Sequence, residues 1–307
     1  MPCAYGGNAL QDNATHKASP RVRVGYEEIK SFHDRLVVPK SLYHYTSAAG
    51  LLGILKTESI FATEQTHLND ASEYKYAVDL IEDLMRKSSF AHLSSEAVDV
   101  LVMNLRLFST PAFNVRSYIT SFTCAGDVLS QWIMYAGATG YCIDLDPEVL
   151  FKEIQKISGI IVPVFYKLEI QREILNETLT KMDERLAIAL SIGNESVTEW
   201  YGTSLATLTT LAQCMKHHGF AQEEEVRVIC TVDPDGTHVP KFRAGRHGAT
   251  PYLSLPIRPD GEWAIKGLRS AYSVYPGSAE VATSQLIRAY ELGEGVMPSM
   301  SVIPIKW

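Results

Sequence analysis

A short alternating segment near residue 225 is the feature that most constrains how this chain can fold. Three consecutive acids, Glu223 to Glu225, lead directly into the run VRVICTV at 226–232. Side chains of a β-strand alternate between two faces, so this run has one face without a polar residue. That face consists of Val226, Val228, Cys230 and Val232. The pattern predicts a central strand with Glu225 and Glu223 projecting together at its entry.

A second segment, far away in the sequence, has complementary chemistry. Leu42 to Thr46, with the sequence LYHYT, reads as a strand that ends in His44, Tyr45 and Thr46. Ser47 follows as the N-cap of an apolar helix. One strand ends at residue 46 and the other begins at residue 225. If these two positions line one cleft, an imidazole and two carboxylates lie in the same site.

The remaining periodicity predicts an α+β fold, because strands are mixed with irregular helical insertions and do not alternate regularly with helices. Residues 1–20 read as a flexible N-terminal arm, and 21–307 as a single domain with a helical insertion at about 168–217. We expect a split, mostly antiparallel β core that forms a cleft. The further strands are predicted at 60–63, 118–123, 141–145, 160–166, 252–257, 271–275 and 300–305.

Composition and missing motifs exclude several classes of protein. The formal net charge is −7 and the sequence contains no basic tract. Nonspecific electrostatic binding to nucleic acid is therefore not expected. The five cysteines form no CxxC pair, and no apolar run approaches a spanning helix, so we expect a cytoplasmic protein with no membrane contact. The chain has no GxGxxG, Walker, GxSxG or HxxxH motif. No metal site is predicted.

The candidate catalytic residues are Glu225 and Glu223. A carboxylate at such a position can hold a ribose hydroxyl and stabilise an oxocarbenium-like centre. The alternative is a solvated acidic entry to a strand. His44, at a strand end, can donate to a ribose hydroxyl, and its alternative role is that of a structural histidine bonded to a neighbouring carbonyl group. Ser121, on the predicted strand 118–123, can bond a ligand, and the alternative is a hydroxyl that bonds only its own sheet.

Two helix starts add further candidates. Asp70 and Glu73 form a capping-box pattern, which leaves Asn69 as a possible cleft residue. Asp127 is predicted to cap a helix on which Trp132 belongs to the core. The apolar positions of that helix are Leu129, Trp132, Ile133 and Ala136.

Taken together, these segments are similar to the motifs of a bacterial protein family. Its members carry Tyr-x-Tyr-Thr, Leu-Asn-Asp-x-x-Glu, Ser-Gln-Trp and Glu-x-Glu-Trp-Arg. The corresponding segments here are 43–46, 68–73, 130–132 and 223–227, with Val226 in place of the tryptophan. The resemblance covers about 42–307. That family in turn resembles the ADP-ribosyltransferase superfamily.

The resemblance implies roles for individual residues. The superfamily's His-x-Thr or His-x-Ser strand, which meets the adenosine ribose and the nicotinamide amide of NAD, maps onto His44, Tyr45 and Thr46. Its Ser-Thr-Ser strand resembles the segment that contains Ser121. Its Glu-x-Glu resembles 223–225, with the second acid catalytic. Tyr74 and Tyr76 are both candidates for the tyrosine that stacks on nicotinamide, and Tyr76 is assigned to NAD binding.

The sequence therefore predicts a transferase that moves ADP-ribose from NAD, its co-substrate, to a macromolecular acceptor. The acceptor is protein, RNA or DNA. The resemblance implies a toxin, an effector or a phage-defence enzyme, and with it a neutralising antitoxin or regulatory partner. Two alternatives stay open: an NAD glycohydrolase, in which water is the acceptor, and a catalytically inactive recognition module that kept the cleft.

Overall fold

The described part of the chain begins just before the His44 strand. The computed structural model describes residues 39–68, 71–108, 110, 116–157, 159–232, 239–245 and 248–304. The predicted N-terminal arm, as well as Asn69 and Asp70, lie outside the described residues. The structure therefore does not test the predictions for these residues.

Strands and helices together confirm the predicted α+β class, and within the described residues the strands form one ten-stranded sheet. The strands are β1 (Leu42–Thr46), β2 (Ser59–Glu64), β3 (Arg116–Thr123), β4 (Tyr141–Leu145), β5 (Gly159–Pro163), β6 (Glu225–Val232), β7 (Lys241–Gly245), β8 (Gly248–Pro256), β9 (Ile265–Ser270) and β10 (Met297–Met300). All pairs are antiparallel except β9 with β10.

The helices lie between and beside these strands. They are α1 (Ala48–Thr57), α2 (Ala71–Lys87), α3 (Ser95–Leu107), α4 (Leu129–Gln131), α5 (Pro147–Lys156), α6 (Leu168–Ile192), α7 (Asn194–Gln213) and α8 (Pro276–Ala289). α4 continues into a π-helical turn at Trp132–Ala136, and a 3₁₀ helix at His218–Glu223 leads into β6. As predicted, Ser47 caps α1, with its hydroxyl accepting from the Gly50 N–H at 3.1 Å.

The sheet splits at β3. One edge of β3 pairs with β6 over all eight residues. On its other edge, β1 pairs only at Thr123, and β2 pairs only at Tyr118 and Ile119. Among the described strands, the stretch 120–122 thus has no strand partner on that edge. From this point β1 continues to β4, β9 and β10, and β2 continues to β8 and β7. The two branches diverge around a wedge at the middle of β3.

Two separate cores stabilise this arrangement. The sheet core is formed by the apolar faces of the strands with α1, α5 and α8, and it contains the predicted Val226, Val228 and Cys230. The second core consists mainly of helical residues and joins α2, α3, α6 and α7. Ile119, Val162, Cys214 and Ile229 connect the two across the other face of the sheet. The predicted helical insertion is therefore half of a four-helix layer, completed by residues 71–107.

Several predicted boundaries differ from the structure. The strand expected at 271–275 is β9 at Ile265–Ser270, because pairing with β4 selects the segment with buried Ile265 and Leu268. The strand β7 was not predicted, since its side chains are all exposed. The helical insertion was expected to reach about residue 217, but its second helix, α7, ends at Gln213.

Asp127 does not cap α4, whose N-cap is Val128 without a side-chain bond. The Asp127 carboxylate instead accepts from Trp132 Nε1 at 2.6 Å and from the Val302 N–H at 3.1 Å. It thus ties residues near the end of the described chain to the π-helical turn. Trp132 is fully buried, as predicted, whereas Leu129 and Ile133 are about half exposed rather than core.

No helix in the described ranges combines the length and the apolar character that crossing a membrane would require.

Candidate active site

The candidate site is built around Glu225, the first residue of β6. Glu225 is 7% exposed and lies on the face of the sheet that the helical layer covers. Both of its carboxylate oxygens are hydrogen-bonded. Oε1 accepts from Ser121 Oγ on the neighbouring strand and from Arg227 Nε at 2.7 Å. Oε2 accepts from Arg227 Nη2 at 3.0 Å and from Lys216 Nζ at 3.4 Å.

Arg227 connects this carboxylate to the helical layer. Its guanidinium donates to Glu73 Oε2 on α2 at 2.6 Å and to the Gln213 carbonyl at the end of α7 at 2.6 Å. The position of Arg227 follows from the strand pleat, because residues two apart on a strand share a face. A planar guanidinium with five donors suits a site in which several acceptors converge.

Lys216 is the second cation of the cluster and is 4% exposed. Its ammonium lies 2.5 Å from Glu223 Oε2 and 2.7 Å from Glu73 Oε1, as well as 3.4 Å from Glu225. The Phe220 ring covers it, with the centroid 4.7 Å from Nζ. Glu73 therefore contacts both cations, a role that its capping-box position in the sequence did not predict.

The charges of the cluster nearly balance. Three carboxylates (Glu73, Glu223 and Glu225) face two cations, which leaves a net charge of −1 when all are ionised. Burial alone would raise the pKa of Glu225, but Arg227, Lys216 and the Ser121 hydroxyl outweigh it and hold that pKa below its usual value. Glu225 is thus anionic at neutral pH. A remaining negative charge suits a site in which positive charge develops.

Glu223 lies in a different environment from Glu225. Burial raises the pKa of the Glu223 carboxyl, and the Lys216 ammonium offsets this only in part. The prediction that the two acids project from one strand is wrong, since Glu223 ends the 3₁₀ helix and Glu224 is left-handed with φ 43°. The backbone turns at Glu224, and the two acids meet through Lys216 rather than through the strand pleat.

His44 closes the wedge between β1 and β3. Its Nδ1 lies 3.1 Å from the Ser121 carbonyl oxygen, which belongs to the stretch of β3 without a strand partner on that edge. Because a carbonyl oxygen can only accept, Nδ1 carries the proton. Burial lowers the pKa of His44, although the Ser121 bond acts in the opposite direction. The imidazole is therefore neutral at pH 7, and its Nε2 is an acceptor.

His44, Ser121 and Glu225 thus form a continuous chain of contacts across three strands. The Ser121 carbonyl accepts from His44, and the Ser121 hydroxyl donates to Glu225. Ser121 itself is exposed, so the middle of this chain is open to an incoming group. The structure brings together these three predicted residues and Glu223.

Tyr45 and Thr46 lie at the same end of β1 but in different surroundings. The Tyr45 side chain is buried, and its hydroxyl donates to the Ala125 carbonyl at 3.1 Å and accepts from the Val128 N–H at 3.0 Å. Only its backbone can therefore serve a ligand. Thr46 is partly exposed and ends β1 opposite Tyr141.

Of the two tyrosine candidates, Tyr74 is buried in the helical core, where its hydroxyl donates to the Leu105 carbonyl at 3.2 Å. Tyr76 is half-buried, and its hydroxyl donates to Gln171 Oε1 at 2.8 Å. Its ring packs edge-on against His217, with centroids 5.8 Å apart. Tyr76 thus lies in the wall beside the cluster, and its ring already packs against a protein partner.

Several site residues were missed from the sequence. Lys216 and Tyr166 lie in segments without a motif, and Tyr166 Oη accepts from the Glu225 N–H at 3.0 Å. Glu73 could have been recognised as a site residue, since it belongs to the Leu-Asn-Asp-x-x-Glu segment. It was interpreted only as part of a capping box. Arg227 could have been found, because it shares the polar face of β6 with Glu225.

Aromatic and apolar side chains form the rim of the site. Tyr135, on the π-helical turn, is 42% exposed, and Phe220, on the 3₁₀ helix, is 39% exposed. Burial and, next, the Glu223 charge raise the pKa of Tyr135 to about 12, so its hydroxyl stays protonated at neutral pH. In the part of the chain that the structure describes, no three His, Cys, Asp or Glu side chains are arranged to hold a metal ion.

Comparison with known proteins adds one finding. Residues 131–228 match a family described as "Protein of unknown function (DUF2971)". The matched span includes Lys216, Glu223, Glu225 and Arg227 and leaves out His44, Glu73 and Ser121. No curated protein and no solved structure matches the chain.

Proposed function

We propose that this protein is an ADP-ribosyltransferase that transfers ADP-ribose from NAD to a macromolecular acceptor. The observation that carries the proposal is the chain of contacts from His44 through Ser121 to Glu225, at the place where β1 and β2 part from β3. A split β core with a histidine on one strand and a Glu-x-Glu on another is the ADP-ribosyltransferase arrangement that the motifs resemble. The split pairing supports this finer description of the α+β fold.

The site offers each group that the first half of the reaction needs. As the glycosidic bond between the ribose and nicotinamide breaks, its electron pair leaves with nicotinamide and positive charge develops on the ribose. The Glu225 carboxylate, anionic in a cluster of net charge −1, stabilises that charge. A ribose hydroxyl takes the place of the exposed Ser121 hydroxyl on Oε1. No metal is required, because nicotinamide is already a good leaving group.

His44, Tyr45, Thr46, Tyr76 and Asn69 complete the proposed NAD site. The neutral His44 accepts from a ribose hydroxyl through Nε2, rather than donating to it, because its proton is used on the Ser121 carbonyl. The backbone at Tyr45 and Thr46 holds the nicotinamide amide. Tyr76 keeps the role in NAD binding that the resemblance implies, and Asn69 stays a possible cleft residue that binds NAD.

Glu223 is proposed to act on the acceptor. Its carboxylate lies beside Glu225, with Lys216 between them, and it receives the proton that the acceptor nucleophile loses as that nucleophile bonds to the ribose carbon. We further propose that the protein is a bacterial toxin, effector or phage-defence enzyme of the cytoplasm. Since uncontrolled NAD consumption harms the producing cell, such an enzyme needs a neutralising partner.

One observation favours a second candidate, an inactive recognition module. Each oxygen of Glu225 already has two donors, and the side chain is only 7% exposed. In such a module the cluster would serve as a buried ion-pair network that fastens the helical layer to the sheet.

Incubation with NAD labelled in the adenine moiety separates these candidates. We expect label to enter macromolecules when lysate is added, together with nicotinamide release. Sensitivity of the labelled product to protease or to nuclease then identifies the acceptor class. Nicotinamide release that is equally fast without any acceptor would replace the transferase with a glycohydrolase. Absence of release under both conditions would leave the recognition module.

His44→Ala is expected to weaken binding of a non-hydrolysable NAD analogue by about fivefold, because one neutral hydrogen bond contributes about 1 kcal/mol. Calorimetric titration measures the affinity, and thermal unfolding checks that stability changes little. His92→Ala is the matched control, since His92 is exposed and lies beside Asp183 in the helical layer. Equal affinity of the wild type and His44→Ala would return His44 to a purely structural role.

A further inference from the structure

Lys216 stands out because an ammonium is buried among three carboxylates that come from three different elements. Glu73 belongs to α2, Glu223 to the 3₁₀ helix and Glu225 to β6. The three Nζ–oxygen distances are 2.7, 2.5 and 3.4 Å. Lys216 itself follows α7, so the contact unites four segments of the chain around one charge.

The backbone of Lys216 is held as firmly as its side chain. Its N–H donates to the Phe165 carbonyl at 3.1 Å, and its own carbonyl accepts from Gln171 Nε2 at 2.9 Å. Gln171 is fully buried and in turn accepts from Tyr76. Both ends of the α6–α7 hairpin therefore meet at Lys216, which explains how its ammonium keeps one position.

Removal of this ammonium would change the charge balance of the site. The three acids would then face Arg227 alone, and Arg227 reaches Glu225 and Glu73 but makes no ion pair with Glu223. Carboxylates that share a buried site repel one another, and the most weakly compensated one takes up a proton. In this cluster the most weakly compensated carboxylate is Glu223, because its cation partner is Lys216.

We propose that Lys216 is a positioning residue of this site. It keeps the Glu223 carboxylate ionised and directed at the acceptor, so that Glu225 is available to bind the ribose. This inference rests on the proposed function and extends it, because it states why the acceptor-side acid can accept a proton at neutral pH. In this proposal Lys216 does not touch the reacting atoms; it acts through Glu223.

Several titratable groups surround the Lys216 ammonium, and an experiment on Lys216 must distinguish the protonation of Glu223 from that of the others. They are Glu73, Glu223, Glu225, Arg227, Tyr135 and Tyr166. Burial would lower the pKa of Lys216, but Glu225, Glu223 and Glu73 together raise it, so it stays charged throughout the neutral range. The two tyrosines have raised pKa values and stay neutral there. His44, whose pKa burial lowers, also titrates in the acidic range, but it contacts Ser121 and not Lys216. A difference in the acidic range between Lys216→Met and the wild type therefore reports on the carboxyl groups.

The first experiment is the pH dependence of NAD turnover with acceptor present. In Lys216→Met we expect the acidic limb of the profile to move upward by about 1 to 3 pH units, the effect of losing a cation within hydrogen-bond distance. Lys216→Arg keeps the charge and should keep the limb. Lys181→Met is the control, since Lys181 forms an exposed pair with Glu177 at 2.8 Å. An unmoved limb in folded Lys216→Met, or an equal shift in Lys216→Arg, would overturn the proposal.

A second measurement does not depend on catalysis. Carbon-13 NMR of labelled glutamate side chains follows carboxyl titration directly, and Glu223→Gln identifies the Glu223 resonance. We expect that resonance to titrate at higher pH in Lys216→Met than in the wild type. Equal titration would refute the proposal even if NAD is turned over. If the wild type turns over no NAD, the proposed function fails, and the titration still decides what Lys216 does. Lys216→Gln replaces Lys216→Met if the latter does not fold.

Discussion

Glu225→Gln is expected to lower the rate of NAD cleavage by a factor on the order of 10²–10³, the usual loss when one preorganised electrostatic contact is removed at a reacting centre. The substitution keeps the size of the side chain and removes the charge that faces the developing cation. Because the three acids of the cluster outnumber its two cations, the variant cluster becomes neutral, which favours retention of the fold. Nicotinamide release at saturating NAD measures the effect.

Glu153→Gln is the matched control for that experiment. Glu153 is also 7% exposed and pairs with a lysine, Lys156, at 2.5 Å, but it lies on α5 beside the sheet core. Its replacement should leave the rate of nicotinamide release unchanged. If Glu225→Gln works at the wild-type rate, or if Glu153→Gln loses as much activity, Glu225 is not the catalytic acid.

Arg227→Met is expected to lower the free energy of unfolding by about 3–5 kcal/mol, because breaking a buried ion pair leaves an uncompensated charge behind. Arg227 is 6% exposed and donates to Glu225, Glu73 and the Gln213 carbonyl. Its loss leaves those acceptors without their donor and loosens the contact between the helical layer and the sheet. Denaturant unfolding followed by circular dichroism gives the free energy.

The size of this effect depends on burial, and an exposed arginine provides the comparison. Arg86 contacts Glu82 and Asp99, both at 2.9 Å, but about half of its side chain is exposed. Water screens such a pair, so Arg86→Met should have a much smaller effect. Similar denaturant midpoints for the Arg227→Met and wild-type proteins would show that Arg227 does not contribute to stability. The doubly substituted Arg227→Met/Glu225→Met protein should recover part of the loss, because Glu73 and Glu223 then face Lys216 and the net charge of the cluster returns from −2 to the wild-type −1.

Much of the sheet could be predicted from local pattern. The alternation at 226–232 predicted β6 with its buried face, and LYHYT predicted β1 with the bounds that the structure has. Ser47 predicted the start of α1. These predictions succeeded because one strand face or one helix cap depends on a few neighbouring residues. They failed at β7, whose side chains are all exposed although it pairs with the adjacent β8. They also failed at 271–275, where pairing with the distant β4 decides which residues form β9.

The candidate site was only partly predictable for the same physical reason. Glu225, His44 and Ser121 each had a signal, because they lie on strands with a recognisable pattern. Lys216 had none, since a lysine after a helix looks like any solvated lysine until its neighbours are known. The proximity of Glu223 and Glu225 was predicted, but for the wrong reason, because the left-handed Glu224 replaces the strand pleat with a turn and Lys216 lies between the two acids.

The sequence by itself determined the strand that carries Glu225, the strand that carries His44 and the presence of an acidic entry to a buried β-strand. Only the tertiary structure decided that the sheet splits at β3, that the α6–α7 hairpin packs with residues 71–107, and that Lys216 enters the acid cluster. Periodicity records which face of a segment is buried, because burial alternates with the local geometry. It does not record the partner, since pairing and charge compensation join residues far apart in the chain.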